Sequence, residues 1–205
     1  MSKVLSDEQV SYFNENGFIV IKGFYDLEVQ IDPILIAIYD LIGICLKKNN
    51  IAIKRKIFSR QTFDDGFQAL IKKNRSAGGV IYDAVKQIPA FQRLISNEKN
   101  ELLVKQLRET SLIGLAAGGS GIRIDNPGES QYQAPWHQEF PAQLRSLDGL
   151  IFWSPLRNLT KLLGPVEICS KSQQEGMIPV YSDSKKSGKT GAYALRLEDE
   201  AKVVA

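Results

Sequence analysis

"GLIFWSPLRNLTKLLGPVEICS" (residues 149–170) consists of short apolar runs separated by proline, glycine and polar residues. The stretches "GIRIDNPGES" (121–130) and "GAYALRL" (191–197) have the same character. Short strands with regular turn signals are typical of antiparallel sandwiches and jelly rolls. We therefore expect a β-rich part over residues 112–205.

The preceding residues favour helices. Ser6 followed by Gln9 is a capping-box signature for a first helix that ends at Gly17. The β-branched and aromatic stretch "FIVIKGF" (18–24) predicts one strand. Apolar periodicity and helix-stop signals predict four further helices, over 32–47, 63–73, 80–87 and 98–110. The predicted fold is α+β: a single domain over 1–205, with a mainly helical part (1–111) packed against the β-rich part (112–205).

Charge and cysteine content exclude several classes of protein. The formal net charge of +3 is too small to argue for a nucleic-acid or anionic-membrane partner. Cys45 and Cys169 lie far apart in apolar contexts, which disfavours a disulfide framework or a thiolate zinc site. The apolar run at 33–46 is 14 residues long, contains Asp40, and predicts a buried helix. These features predict a cytoplasmic protein without a membrane segment.

Three short motifs carry no function. "SGKT" (187–190) lacks the glycine that a phosphate-binding P-loop requires at position 183, which is Asp. "GGSG" (118–121) lacks the third glycine of a dinucleotide fingerprint and precedes a strand-like run. The basic stretch "IKRKIFSRQ" (53–61) is interpreted as a solvated face.

The chain contains one histidine, His137, two positions before Glu139. On an extended segment, residues i and i+2 project to the same face, so the imidazole and the carboxylate would point at one place. We expect the two side chains to converge to within about 3 to 4.5 Å, around a point where a metal ion can sit. The ordinary alternative is a surface histidine beside an acidic residue, and the spacing alone leaves both open.

The wider context resembles the phytanoyl-CoA dioxygenase family of non-haem Fe(II)- and 2-oxoglutarate-dependent oxygenases. "WHQE" (136–139) is similar to the family's W-H-Q-D, and "GPVEICSKSQQEG" (164–176) resembles its strand-and-turn segment. The opening "LSDEQVSYFNENGFIVIKGFYD" (5–26) is similar to the family's first helix and strand.

The resemblance implies a double-stranded β-helix, or jelly roll, that hydroxylates a small organic substrate with O₂. His137 and Glu139 would be two of the Fe(II) ligands, with Glu replacing the usual Asp. Trp153, Gln138 and Arg123 would lie around the 2-oxoglutarate cosubstrate; for Arg123 a surface salt bridge is an equal alternative. A carboxylate ligand favours hydroxylation over halogenation. No nucleic-acid or membrane partner is implied.

The family pattern also includes a distal histidine followed by an arginine, and this chain contains no second histidine. Two protein ligands should hold Fe(II) poorly. We expect the chain to be a fragment of a longer oxygenase; the alternative is a catalytically inactive jelly-roll binding domain or remnant. Gln173 stands where the family commonly has histidine, at a position that is not an iron ligand.

Overall fold

The computed structural model describes residues 3–116, 118–126, 128–129, 133–142, 146–187 and 194–201. Within these residues there are eight α-helices: α1 (Asp7–Asn16), α2 (Asp32–Lys48), α3 (Phe67–Lys73), α4 (Arg75–Val85), α5 (Pro89–Ile95), α6 (Glu98–Arg108), α7 (Glu139–Ala142) and α8 (Ser184–Ser187). A π-helical turn, Leu27–Ile31, precedes α2, and 3₁₀ turns lie at Lys161–Leu163 and Ser172–Glu175. Strands β1 (Val180–Ser182) and β2 (Leu195–Leu197) form one antiparallel pair.

Helix α1 begins and ends as its sequence predicts. The Ser6 hydroxyl accepts from the Gln9 backbone N–H, and the Gln9 side chain accepts from the Ser6 N–H, which completes the capping box. Gly17 ends the helix with a φ of 79°, a conformation that favours glycine. The start of the chain is tied to α6, because the Gln106 amide bonds the backbone N–H and C=O of Leu5.

Helix α2 forms the centre of the main core. It was predicted over 32–47 and lies over Asp32–Lys48, so this prediction is confirmed. Its inward residues pack against α3, α4 and α5. The side chains that are essentially inaccessible to water are Ile34, Leu35, Ile42, Leu70, Ile81 and Val85.

The continuous helical stretch Leu27–Lys48 is the one part of the described chain long and apolar enough to span a membrane, with a mean hydropathy of 1.8. The central helix of a soluble protein has the same length and composition. Here 33% of its most apolar window is buried inside the protein, and Ile36 and Ile44 are among its apolar residues that stay exposed.

The segment at residues 51–60 runs antiparallel along α2. Near one end, the Ile51 N–H donates to the carbonyl of Leu46, and at the other end Arg60 forms a bidentate ion pair with Asp32, with N–O distances of 2.6 and 2.7 Å. Between them, the Arg55 guanidinium lies 3.5 Å above the Tyr39 ring. The basic stretch is therefore partly structural: its arginines hold it against the helix.

Other helices differ in their bounds from the sequence-based expectation. The helix expected over 63–73 begins only at Phe67, because the preceding residues form turns that end at Gly66 with a φ of 96°. The helix expected over 80–87 spans Arg75–Val85, with Asn74 as its N-cap. Helix α5 was not predicted, since Pro89 was interpreted only as a stop; proline also occupies the first turn of helices.

The strand predicted over residues 18–24 forms no ladder with any described segment. Its alternation is nevertheless present, because Ile19 and Ile21 pack in a second cluster around Leu5, Leu103 and Leu107. Val20 between them is 71% exposed. Hydrophobic packing, rather than sheet pairing, positions this segment.

The described part of the β-rich half has one two-stranded sheet, in which Tyr181 is opposite Arg196. Strand β2 lies within the predicted "GAYALRL" stretch, whose residues 191–193 fall outside the described residues. The stretches at 121–126 and 149–159 carry no paired strand among the described residues. The jelly roll thus stays a prediction.

Candidate functional site

His137 and Glu139 converge. His137 follows a bend at Trp136, and Glu139 begins the short α7, in which Phe140 has extended angles of −92° and 130°. The His137 Nε2 lies 3.6 Å from the Glu139 Oε1. The pair therefore meets at the separation expected from the H-x-E spacing, although a turn, and not a paired strand, carries it.

A hydrogen bond to the backbone carbonyl of Pro135 fixes the orientation of the His137 imidazole. The His137 Nδ1 lies 2.7 Å from the carbonyl oxygen of Pro135, which only accepts hydrogen bonds, so Nδ1 carries a proton. In the neutral ring the Nε2 lone pair then points toward the Glu139 carboxylate. Two electron-rich atoms facing each other require a positive charge between them, either a proton on Nε2 or a cation.

Glu139 has an unsatisfied oxygen. Its Oε2 is buried and has no hydrogen-bond partner, the one such side-chain atom among the described residues. A buried carboxylate oxygen without a donor is costly, by about 1–3 kcal/mol or more. The carboxylate thus has an open coordination position beside an imidazole nitrogen.

These features fit a bound metal ion. Imidazole nitrogen and carboxylate oxygen are ligands of Fe(II) and similar ions, and ligating histidines usually donate the other ring N–H to a carbonyl or carboxylate. One ion with bonds of about 2.1 Å can touch both atoms when they lie less than about 4.2 Å apart. The measured 3.6 Å satisfies that condition.

Without a metal, the same arrangement favours a proton. The Glu139 carboxylate, 3.6 Å from Nε2, is the chief cause that raises the pKa of His137 above its ordinary 6.5. Partial burial opposes this rise, the carbonyl of Pro135 and the negative charge of Glu139 support it, and the positive charge of Arg123 opposes it. The protonated imidazole is thus stabilised chiefly by its carboxylate neighbour.

Gln138 points away from the pair and binds another segment. Its amide N–H₂ donates to the carbonyl of Gly176 at 2.7 Å, and its side-chain oxygen accepts from the N–H of Ile178 at 2.8 Å. These two hydrogen bonds to the backbone hold the His137–Glu139 turn in place. No local spacing pattern indicates this contact, which joins residues about 40 positions apart.

The segment at residues 169–178 also binds the end of α1. The backbone N–H of Lys171 donates to the carbonyl of Asn16, and the amide of Gln173 donates to the carbonyls of Asn14 and Glu15. Gln173 is therefore a helix cap at the position where the family commonly has histidine. One segment, which we term the bridging segment, thus contacts both the first helix and Gln138.

The other predicted site residues have varied surroundings. Arg123 pairs with Asp125 at 2.7 Å, as in the salt-bridge alternative, and remains close enough to His137 to affect its pKa. Trp153 is 47% exposed, and no ring contact or hydrogen bond among the described residues connects it to the pair. The roles of Arg123, Gln138 and Trp153 around a cosubstrate stay predictions.

No third ligand joins the pair within the described residues, where no group of three or more His, Cys, Asp or Glu side chains converges. With one histidine in the chain, a set of two histidines and one carboxylate cannot form inside one copy of residues 1–205.

No protein-family model, curated protein or solved structure matches this chain.

Proposed function

We propose that the protein is a non-haem Fe(II)- and 2-oxoglutarate-dependent dioxygenase that hydroxylates a small organic substrate, with a jelly-roll architecture for its β-rich part. The observation that carries the proposal is the convergence of His137 Nε2 and Glu139 Oε1 beside an unsatisfied buried carboxylate oxygen. The "WHQE" context and the cytoplasmic composition agree with it.

Each residue of the site has a separate task in this proposal. His137 and Glu139 hold the metal, the Pro135 carbonyl orients the imidazole, and Gln138 fixes the turn against the bridging segment. Iron and 2-oxoglutarate, when bound, supply the oxidising chemistry. Arg123, which pairs with Asp125 in this structure, would change partner and form an ion pair with a carboxylate of the cosubstrate.

A second function is favoured by one specific observation, the single histidine of the chain. If a proton rather than a metal lies between His137 and Glu139, the protein is a binding domain without redox chemistry. The two functions differ in what neutralises the facing lone pairs, and metal titration distinguishes them.

Titration with Co(II), a spectroscopically visible substitute for Fe(II), tests the proposal. We expect one weak site per chain, and loss of it in His137→Ala and in Glu139→Ala. Glu167→Gln, an exposed carboxylate outside the turn, is the matched control and should bind as the unchanged protein does. Excess imidazole should strengthen binding, because it can occupy an open ligand position.

With Fe(II), ascorbate and 2-oxoglutarate, residues 1–205 alone should form no detectable succinate, since two protein ligands hold iron poorly. Co(II) binding that persists in both His137→Ala and Glu139→Ala would exclude this pair as the metal site. Absence of any Co(II) binding, with and without imidazole, would instead support the binding domain.

A further inference from the structure

The solvent-facing side of α2 is unusually apolar. Ile36 is 44% exposed and Ile44 is 62% exposed, and Asp40 lies between them on the same side. Residues four apart are neighbours on a helix, so the three form one stripe. A helix face in contact with water is ordinarily polar. This stripe is one uncovered part of the helical stretch Leu27–Lys48, in which Leu27 and Val29 are exposed as well.

The neighbouring segment extends the same surface. The Tyr39 hydroxyl donates to the carbonyl of Lys56, which places the next residue, Ile57, alongside the first half of α2. Ile57 is 90% exposed. Lys54 and Lys56 are exposed as well, and neither side chain has an ion-pair partner among the described residues.

Two helix ends add a cluster of lysines. Helices α2 and α3 both end in Lys-Lys-Asn, at residues 47–49 and 72–74, and the two asparagine side chains hydrogen-bond to each other at 2.7 Å. The four lysines are exposed and form no ion pair in the described structure. The two C-terminal ends therefore present their positive charges side by side.

The small net charge of the chain conceals this asymmetry. Residues 36–57 and 67–73 form what we term the basic isoleucine face, together with Asp65, whose carboxylate accepts from the Lys56 N–H; the face contains seven basic and two acidic residues, a charge of +5. The whole chain carries +3, so the remaining residues together carry −2. The total charge that argued against an anionic partner is therefore an average over two unlike regions.

Ordinary structural roles account for only part of this face. Lysines in the last turn of a helix stabilise its dipole, which explains the pairs at 47–48 and 72–73. That role does not apply to Lys54 and Lys56, which lie outside the helices, nor does it explain why Ile57 is exposed.

We propose that the basic isoleucine face docks on the surface of an anionic lipid bilayer. Lysines flanking exposed aliphatic side chains are the composition of interfacial membrane-binding surfaces, where the lysines contact headgroups and the aliphatic groups enter the acyl boundary. A second copy of the chain is a poor occupant, because a symmetric interface would place two +5 faces against each other. Nucleic acid would use the lysines but leave the isoleucines in water. This proposal does not depend on the iron site.

Co-sedimentation of residues 1–205 with vesicles tests it, using phosphatidylcholine alone and phosphatidylcholine with about 30% phosphatidylserine. We expect binding to the anionic vesicles, little binding to the neutral ones, and loss of binding as salt rises from about 0.1 to about 0.5 M. Lys54→Gln/Lys56→Gln should lower the partition coefficient on the order of twentyfold, at about fivefold for each lysine. Lys22→Gln/Lys161→Gln removes the same charge elsewhere and should lower it far less.

A second pair of variants tests the apolar part. Ile57→Ser should lower binding severalfold, whereas Val20→Ser, at a residue 71% exposed in another region, should not. Thermal melting monitored by circular dichroism verifies that both variants fold. Equal binding to neutral vesicles, no binding to either kind, or equal losses in both lysine pairs would overturn the proposal. A dimer that Ile57→Ser dissociates would also overturn it, and would assign the face to contact between copies.

Discussion

At the scale of the residue, the pKa of His137 can be measured directly by NMR, because its imidazole is the only one in the chain. We predict that NMR titration gives a pKa above 6.5 in the metal-free protein, and that Glu139→Gln lowers it, since the carboxylate is the chief cause of the rise. A histidine with a raised pKa takes up a proton on folding. Its contribution to stability is complete below pH 6.5 and is lost as the pH rises through the raised value.

Added Co(II) should displace that proton and move the titration to lower pH in the unchanged protein, but not in Glu139→Gln. An imidazole that titrates at or below 6.5 in the metal-free protein would contradict the contact seen here. The H-x-E spacing predicted that the two side chains meet on an extended strand; in the structure they do meet, but across a turn. The carbonyl of Pro135 and the amide of Gln138 were not predictable, because main-chain acceptors and contacts across about 40 residues leave no local pattern.

At the scale of the element, the junction between α1 and the bridging segment is open to a double-mutant test. We predict that Gln173→Ala destabilises the protein by about 1 kcal/mol, because two exposed hydrogen bonds to helix carbonyls are lost. Gln173→Glu should cost more, since a carboxylate would face those carbonyls at the negative end of the helix. Urea unfolding measures both.

Gly17→Ala should also be destabilising, because its φ is 79° and an added Cβ would lie within 3 Å of the Gln173 side chain. Part of that cost is steric and should disappear in the Gly17→Ala/Gln173→Ala double variant. Strictly additive effects would show that the two residues do not touch in solution. Glu15→Gln is a useful comparison, since it removes only the ion pair with Lys171 at the same junction.

Helices were more predictable than strands for a physical reason. The capping box of α1 and the apolar period of α2 act within a few residues, so they can be read locally. A strand requires a partner that the sequence does not identify. Residues 18–24 have the right alternation but pack against α1 and α6 without a ladder.

At the scale of the whole molecule, packing differs between the two halves. The chain exposes 13994 Å², whereas a compact monomer of 22.9 kDa is expected to expose about 9,600 Å². Large apolar side chains of the β-rich half contribute to the excess: Ile151, Trp153, Val166, Ile168 and Met177 are each about half exposed or more. The helical half supplies nearly all of the two buried clusters.

We therefore predict that residues 1–205 bind a hydrophobic dye in their native state, and that limited proteolysis cuts first within residues 112–178. A fragment close to residues 1–111 should persist, because α2 to α6 carry the core. The size of the protected fragment, by mass spectrometry, is the measurement. A monodisperse monomer with one cooperative transition and no dye binding would contradict this distribution of packing.

The bridging segment also determines when the end of α1 can be capped during synthesis of the chain. Lys171 follows Glu15 by 156 residues, so at about 5–20 residues per second the ribosome delivers the partner of α1 some 8–30 s after the helix itself. During that interval the last carbonyls of α1 can only accept hydrogen bonds from water. Helix α1 is therefore made long before its end is fully stabilised, and the turn that carries His137 depends on the same ten residues, 169–178.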